Sequence, residues 1–312
     1  MCTGIKINYP GGHVLGRTMD LEAPVDYNIL YLPKDYPVAE NLLGGYHHSQ
    51  YKMLGVGFRN MDPLKDGVNE HGLIGITNDF GGFGLYDDQV DQSKTNVSAF
   101  YFMNYILANC RDIDEVLKIL PTIHISSRDL KGNKVITPIF HFMFSDSKQN
   151  CIVVEPNKKK LKVYQNPYGI MTNAPKFSSH VKLLETTFDK ENLDRFNGAK
   201  NLPGGYDPKS RFLKAYYLAQ QTLDNHNSNS AFGNLYRVLS AVALPKGFIP
   251  NQKYHSYTYT VYLSAYDSQS KRLTIQAAEN PMVYSMSFDD IQNQSARQVI
   301  YISQQFSYQN IK

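Results

Sequence analysis

The 312-residue sequence has no tryptophan, only three cysteines and no apolar run long enough to span a membrane as a helix. A sparse, odd cysteine count excludes a disulfide framework and suggests a reducing compartment. Cys2, Cys110 and Cys151 are far apart, so none has metal-ligand spacing. The first fifteen residues lack a basic segment followed by an apolar one. No signal peptide is expected, and the reading is cytoplasmic. A charge excess is missing too: 32 basic and 28 acidic residues leave +4. The one tight basic run, Lys158-Lys159-Lys160, sits between strand-like segments and reads as a solvated hairpin turn. A nucleic-acid surface needs a clustered basic face. Neither nucleic acid nor membrane is expected as a partner. No repeat or low-complexity linker divides the chain, which is read as one domain over residues 1–312.

What is present is ordinary globular composition with many rings, 23 Tyr and 16 Phe. Most such rings pack in sheets. Some line pockets and offer a polar tip. Turn signals and periodicity predict strands over Cys2–Tyr9, His13–Arg17, Tyr27–Leu32, Tyr51–Phe58 and the apolar part of Val68–Asp79. Further strands are expected at Ile139–Phe144, Cys151–Val154, Leu161–Tyr164, Gly169–Thr172, Tyr257–Tyr266, Arg272–Ala278 and Val283–Phe288. Helices are expected at Ala99–Asn109, Asp112–Leu120, Ser178–Thr187, Ser210–Leu223 and Ser230–Leu244. Strands and helices come in blocks rather than alternating. That disfavours a doubly wound parallel sheet. The expected class is α+β, with two mostly antiparallel sheets between helical layers.

Cys2 carries the chemistry in this reading. Removal of Met1, favoured by a small following side chain, would make Cys2 the N-terminal residue. An α-amine has a reference pKa of about 7.7–8.0. One residue then supplies both the thiol nucleophile and a base for its proton. The returning strand ends in Gly16-Arg17-Thr18-Met19-Asp20, which brings Arg17 and Asp20 back beside Cys2. A cation there favours a thiolate, and Asp20 can hold the amine. Without Cys2, the same two residues would read as a surface ion pair.

These segments resemble the choloylglycine hydrolases, which include penicillin V acylases and conjugated bile salt hydrolases, within the N-terminal nucleophile hydrolases. The likeness rests on blocks in a fixed order: Met1-Cys2-Thr3, Gly16–Asp20, Asn69-Glu70-His71-Gly72-Leu73 and Gly169-Ile170-Met171-Thr172-Asn173-Ala174-Pro175. Leu202–Tyr206 leading to Ser210-Arg211-Phe212, and then Tyr257–Tyr262, complete it. It implies a four-layer αββα sandwich without metal or cofactor. Cys2 corresponds to the nucleophile, Arg17 and Asp20 to the residues that tune and position it, Asn173 to an oxyanion donor and Arg211 to a second active-site arginine. The position of the other oxyanion donor falls on Asp79 in ungapped register, with Asn78 beside it. Neighbours on a strand face opposite ways, and a carboxylate is an odd donor. The segment from Asn173 to Arg211 is shorter than in many relatives, so the expected homodimer or homotetramer is left open between the two.

The implied substrate is a small amide. The acyl pocket is expected to draw on Met19, Leu21, Ala23, Pro24, Tyr27, Met61, Phe80 and Phe83. The blocks around Arg17–Asp20, Met171–Asn173 and Leu244–Gly247 incline the reading to a penicillin V acylase. A bile salt hydrolase is the alternative, and acyl-homoserine lactones are a third substrate class. Two other classes compete: an unprocessed homologue that binds an amphipathic ligand, and a Cys–His thiol enzyme using His13, His71, His141 or His180.

Overall fold

A computed structural model of the chain describes residues 1–58, 61–128, 139–158, 160–187, 202–252 and 255–306. Two antiparallel sheets dominate. The seven-stranded sheet runs Ile170–Met171, β1 (Cys2–Tyr9), β2 (Gly12–Leu21), Ser256–Asp267, Leu273–Ala277 and Asn280–Met286, with Ile249–Asn251 also paired to Ser256–Asp267. The eight-stranded sheet runs Lys160–Gln165, Cys151–Asn157, Phe140–Ser145, Ile74–Asp79, Leu64–Asn69, Met53–Phe58, β3 (Tyr27–Leu32) and Gln298–Ile300. Helices α1 (Phe102–Asn109) and α2 (Ile113–Ile119) pack outside the second sheet, around Phe142, Phe144 and Ile152. Helices α3 (Phe177–Thr187), α4 (Pro208–Gln220) and α5 (Ser228–Val242) cover the first, through Phe212, Leu235 and Leu239. The fold is therefore the αββα sandwich.

Helix ends follow local chemistry. Asp112 caps α2 by accepting from Glu115 N, Asp207 caps α4 through Lys209 N and Ser210 N, and Asn227 caps α5 through Ser230 N. The caps place α4 and α5 two residues earlier than the apolar pattern alone suggested. Within Val68–Asp79, Val68 and Asn69 end one strand, Leu64–Asn69, and Ile74–Asp79 forms the next, because Asn69 folds the chain back. Its Oδ1 accepts from His71 N and Leu73 N, and its Nδ2 donates to Leu107 O and Cys110 O.

The first hairpin sets the site. Gly11, at φ 86°, makes its turn possible. Register then places Cys2 opposite Met19, Thr3 opposite Thr18 and Gly4 opposite Arg17. Opposed residues share a face, so Cys2 and Arg17 point together towards the eight-stranded sheet. A Cβ at Gly4 would stand 2.1 Å from Ile76 Cδ1. Glycine at that point lets the two sheets close tightly beneath Cys2.

Candidate active site

Cys2 is buried and lies in the wall of a cavity of about 410 Å³. Met1, Arg17, Met19, Asp20, Leu21, Glu22, Phe58, Met61, Lys65, Thr77, Asp79, Phe100 and Phe140 complete the lining. Clefts of about 390 and 380 Å³ elsewhere contain no cysteine. Among the described residues no group of His, Cys, Asp or Glu is arranged to hold a metal ion.

The Cys2 main chain is held from several directions. Cys2 N donates to Asn173 Oδ1 at 2.6 Å. Arg211 Nη1 donates to Cys2 O at 2.7 Å and to Thr3 Oγ1 at 2.5 Å. Its Nη2 donates to Asn173 Oδ1 at 2.8 Å, and its Nε to Tyr206 O at 2.8 Å. Asn173 Nδ2 donates to Asp79 O at 2.9 Å. These partners fix the amide orientation, with two donors at its oxygen and a carbonyl at its nitrogen. Met1 continues the β1–β2 ladder: its N donates to Asp20 O, and Asp20 N donates to Met1 O.

Arg17 approaches from the opposite face. It is fully buried, donates to Lys65 O at 3.0 Å and lies 3.7 Å from Asp66 Oδ2. Asp66 also accepts from Tyr262 OH at 2.7 Å, Ser264 Oγ at 2.8 Å and Tyr266 OH at 2.5 Å. Burial works against the Arg17 charge, but Cys2, Tyr262, Asp66 and Asp20 together hold its pKa above the ordinary arginine value. Arg211 goes the other way: burial lowers its pKa despite Asp20, Cys2 and Asp207. Asp20 Oδ1 accepts from Thr260 Oγ1 at 2.7 Å, while Oδ2 has no hydrogen-bond partner among the described residues and lies 4.0 Å from Arg211 Nη1.

Arg17, Asp20, Asn173 and Arg211, singled out in the sequence, thus gather around Cys2. Asp79 lines the cavity, whereas Asn78 turns inward and donates to Met171 O and Thr172 O at 3.2 Å each and to Cys2 O at 3.5 Å. Met19, Leu21 and Met61 line the cavity as expected. Five expected lining residues do not. Ala23 and Pro24 are exposed on the loop after β2. Tyr27 is buried in the core, its OH donating to Val261 O. Phe80 is buried and stacked on His141 at 4.5 Å, and Phe83 is largely exposed. The histidines serve other ends: His13 meets Ser145 Oγ, His141 meets Thr172 O, His180 meets Asn173 O and His71 packs on Tyr51.

The family model described as linear amide C–N hydrolases, choloylglycine hydrolase family, matches residues 2–301. The chain belongs to this family. It is an enzyme that hydrolyses linear amide bonds. It is 29% identical over 265 residues to a bile salt hydrolase/transferase of Clostridium perfringens, covering 79% of this chain and 80% of that protein. A penicillin V acylase of Pectobacterium atrosepticum is 24% identical over 54% of this chain and 44% of that one. In fold, a variant conjugated bile acid hydrolase from Clostridium perfringens superposes with TM-score 0.88 at 24% identity, covering both chains fully. Penicillin V acylase from Agrobacterium tumefaciens gives 0.75 at 20%, covering 93% of this chain and 87% of that one.

The reading of this hydrolase from sequence passed over Lys65, Asp66, Phe58, Phe100 and Phe140. Pro63 and Gly67 leave residues 64–67 without a strand pattern between Tyr51–Phe58 and Val68–Asp79. A Lys-Asp pair flanked by those residues carries no periodic signal that marks it as buried.

Proposed function

We propose that this choloylglycine hydrolase family member cleaves conjugated bile salts, releasing glycine or taurine, with Cys2 as nucleophile after loss of Met1. The observation that carries the mechanism is the 2.6 Å bond between Cys2 N and Asn173 Oδ1. It fixes the nitrogen that would become the α-amine while leaving the thiol beside the cavity. The apolar walls of Met19, Leu21, Phe58 and Phe140 suit a large acyl group. The bile salt hydrolases named above align over most of both chains, while the penicillin V acylase match covers about half of this one. That balance turns the substrate reading away from penicillin V.

In this reading Met1 leaves the Asp20 main chain, and the freed amine donates to Asn173 Oδ1. Its lone pair accepts the thiol proton, and the thiolate attacks the amide carbon opposite the Arg17 charge. Asn173 Nδ2 keeps one N–H beyond the one given to Asp79 O, and that N–H serves the oxyanion. The proton then passes to the leaving nitrogen as the C–N bond breaks. Water hydrolyses the thioester, returning the free thiol and a carboxylic acid. Asp20 Oδ2 is placed to orient the amine. The Asp79 carboxylate is an acceptor and is not used as a donor here.

The test is hydrolysis of glycocholate, taurocholate and penicillin V by wild type and Cys2→Ala, with intact mass recorded. The expected result is faster release of glycine or taurine than of phenoxyacetate, no turnover by Cys2→Ala, and a mass short by one methionine. A protein that retains Met1 and still turns over would overturn the amine-base mechanism. A processed protein that cleaves only penicillin V would overturn the substrate class.

A further inference from the structure

The Cys2 cavity holds one charge that this mechanism leaves unused. Lys65 is only 6% exposed and forms part of the cavity wall. Its Nζ lies 4.8 Å from the ring centroid of Phe58, 5.5 Å from that of Phe100 and 5.9 Å from that of Phe140. The same three rings line the cavity. Its carbonyl is pinned by Arg17 Nη1 at 3.0 Å and Thr77 Oγ1 at 2.9 Å, which fixes where the side chain starts. Among the described residues its Nζ has no hydrogen-bond acceptor and no ion-pair partner. Asp20, Glu22 and Asp79 border the same cavity, and none of them is paired with it.

An ammonium has three donors and a strong need for solvation. Ring faces attract the cation but accept no conventional hydrogen bond. A buried charge without an anion is costly. Burial, helped by the nearby Arg17 and opposed by Asp66, pushes Lys65 down to about 8. A methionine would fill the same aromatic box without that cost. What the ammonium lacks, and what the cavity leaves room for, is an anion.

We infer that Lys65 is a specificity-determining residue whose caged ammonium binds an anionic group, carboxylate or sulfonate, carried by the amide substrate. The inference rests on the reading that this cavity takes an amide substrate. The three rings hold the ammonium in one place and keep water away from it, so an entering anion meets it in a medium of low dielectric.

The experiment compares kcat/KM for glycocholate and for its uncharged methyl ester in wild type, Lys65→Met and Lys65→Arg. The expected result is that Lys65→Met lowers the acid-over-ester ratio by about tenfold to a hundredfold, as for loss of a charge-assisted hydrogen bond. The loss is carried by KM, and Lys65→Arg retains most of the preference. Thermal unfolding gives a second readout: Lys65→Met is expected to be at least as stable as wild type, because it removes an unpaired buried charge. A variant in which acid and ester fall equally would overturn the inference and leave Lys65 a wall residue. A fall in kcat on both, with a displaced pH profile, would overturn it in favour of proton transfer. If wild type ignores glycocholate but cleaves penicillin V, the bile salt reading fails alone. The same ratio, measured with penicillin V and its methyl ester, then decides Lys65. A wild type inactive on all four compounds sinks both.

Discussion

Two buried arginines flank the start of β1 from opposite faces, and they are bonded in different ways. Arg17, on the face shared with the Cys2 side chain, is paired with a carboxylate, Asp66, that three hydroxyls support. Arg211, on the helix side, gives its N–H groups to neutral acceptors: Cys2 O, Thr3 Oγ1, Asn173 Oδ1 and Tyr206 O. The first arrangement delivers a charge to the thiol side of the strand. The second is a fork that fixes where the Cys2 main chain and the Asn173 amide sit. Burial opposes both charges; at Arg17 the neighbouring Cys2, Tyr262, Asp66 and Asp20 outweigh it, and at Arg211 Asp20, Cys2 and Asp207 do not. The contrast is between a guanidinium paired with a carboxylate and one bonded mainly to neutral oxygens.

Lysine substitution separates the two roles, because lysine keeps the charge and loses the planar fork. Arg17→Gln and Arg211→Gln are each expected to lower kcat/KM by on the order of 10²–10³, comparable to loss of an oxyanion donor. Arg17→Lys should recover to within about tenfold of wild type, since a point charge suffices there. Arg211→Lys should stay near the level of Arg211→Gln, because an ammonium cannot reach all four acceptors in that planar arrangement. Steady-state kinetics on the four variants decides this. The reverse pattern, with rescue at 211 and none at 17, would break the comparison.

Asp66 sharpens it with a smaller effect. The carboxylate touches Arg17 and not Arg211. Asp66→Asn is expected to lower kcat about tenfold with little change in KM, and to cost about 3–5 kcal/mol of stability as for a broken buried pair. In double-mutant cycles it should add to Arg211→Gln and fail to add to Arg17→Gln. Additivity with both would show that Asp66 acts through the tyrosines alone.

How much of this could be read from the chain depended on whether a residue's partners are local. The β1–β2 hairpin, its turn at Gly11 and the convergence of Arg17 and Asp20 on Cys2 all follow from a short return of the strand. The Asp112 cap is local as well, resting on Glu115 three residues on. Asn173 and Arg211 were placed by family likeness, since 171 and 209 residues separate them from Cys2. Nothing local marks either one. The pocket was the poorest reading. Tyr27, Phe80 and Phe83 sit near the right strands, but strand alternation and loop direction turn their rings into the core or out to solvent. Phe58 and Phe140 come instead from strand ends and Phe100 from the turn before α1, which only the closed sandwich brings together.

The same division between charge and geometry extends to the histidines behind the site, where the expected effect is smallest at neutral pH. His180 Nε2 meets Asn173 O at 2.9 Å and so backs the residue that holds Cys2 N. Burial pushes His180 down to about 4, with the bond to Asn173 O opposing. Burial, with the Lys6 cation, pushes His13 down to about 3. Both folded values lie below the unfolded value of about 6.5. The fold therefore holds these rings neutral, and the stability tied to that state is fully present above pH 6.5. It is lost as pH falls through 6.5 towards the folded values, because the unfolded chain binds those protons first. Urea unfolding at pH 7.5 and pH 4.5 should show a loss on the order of a few kcal/mol. His13 and His180 ring resonances should stay in the neutral form down to about pH 4.5. Ring resonances at 13 and 180 that titrate near the free-imidazole value of about 6.5 would mean that these imidazoles are charged in the folded protein near pH 6. The Asn173 carbonyl would then be held by an ion, and Arg211 would no longer be the geometric half of the pair on its own.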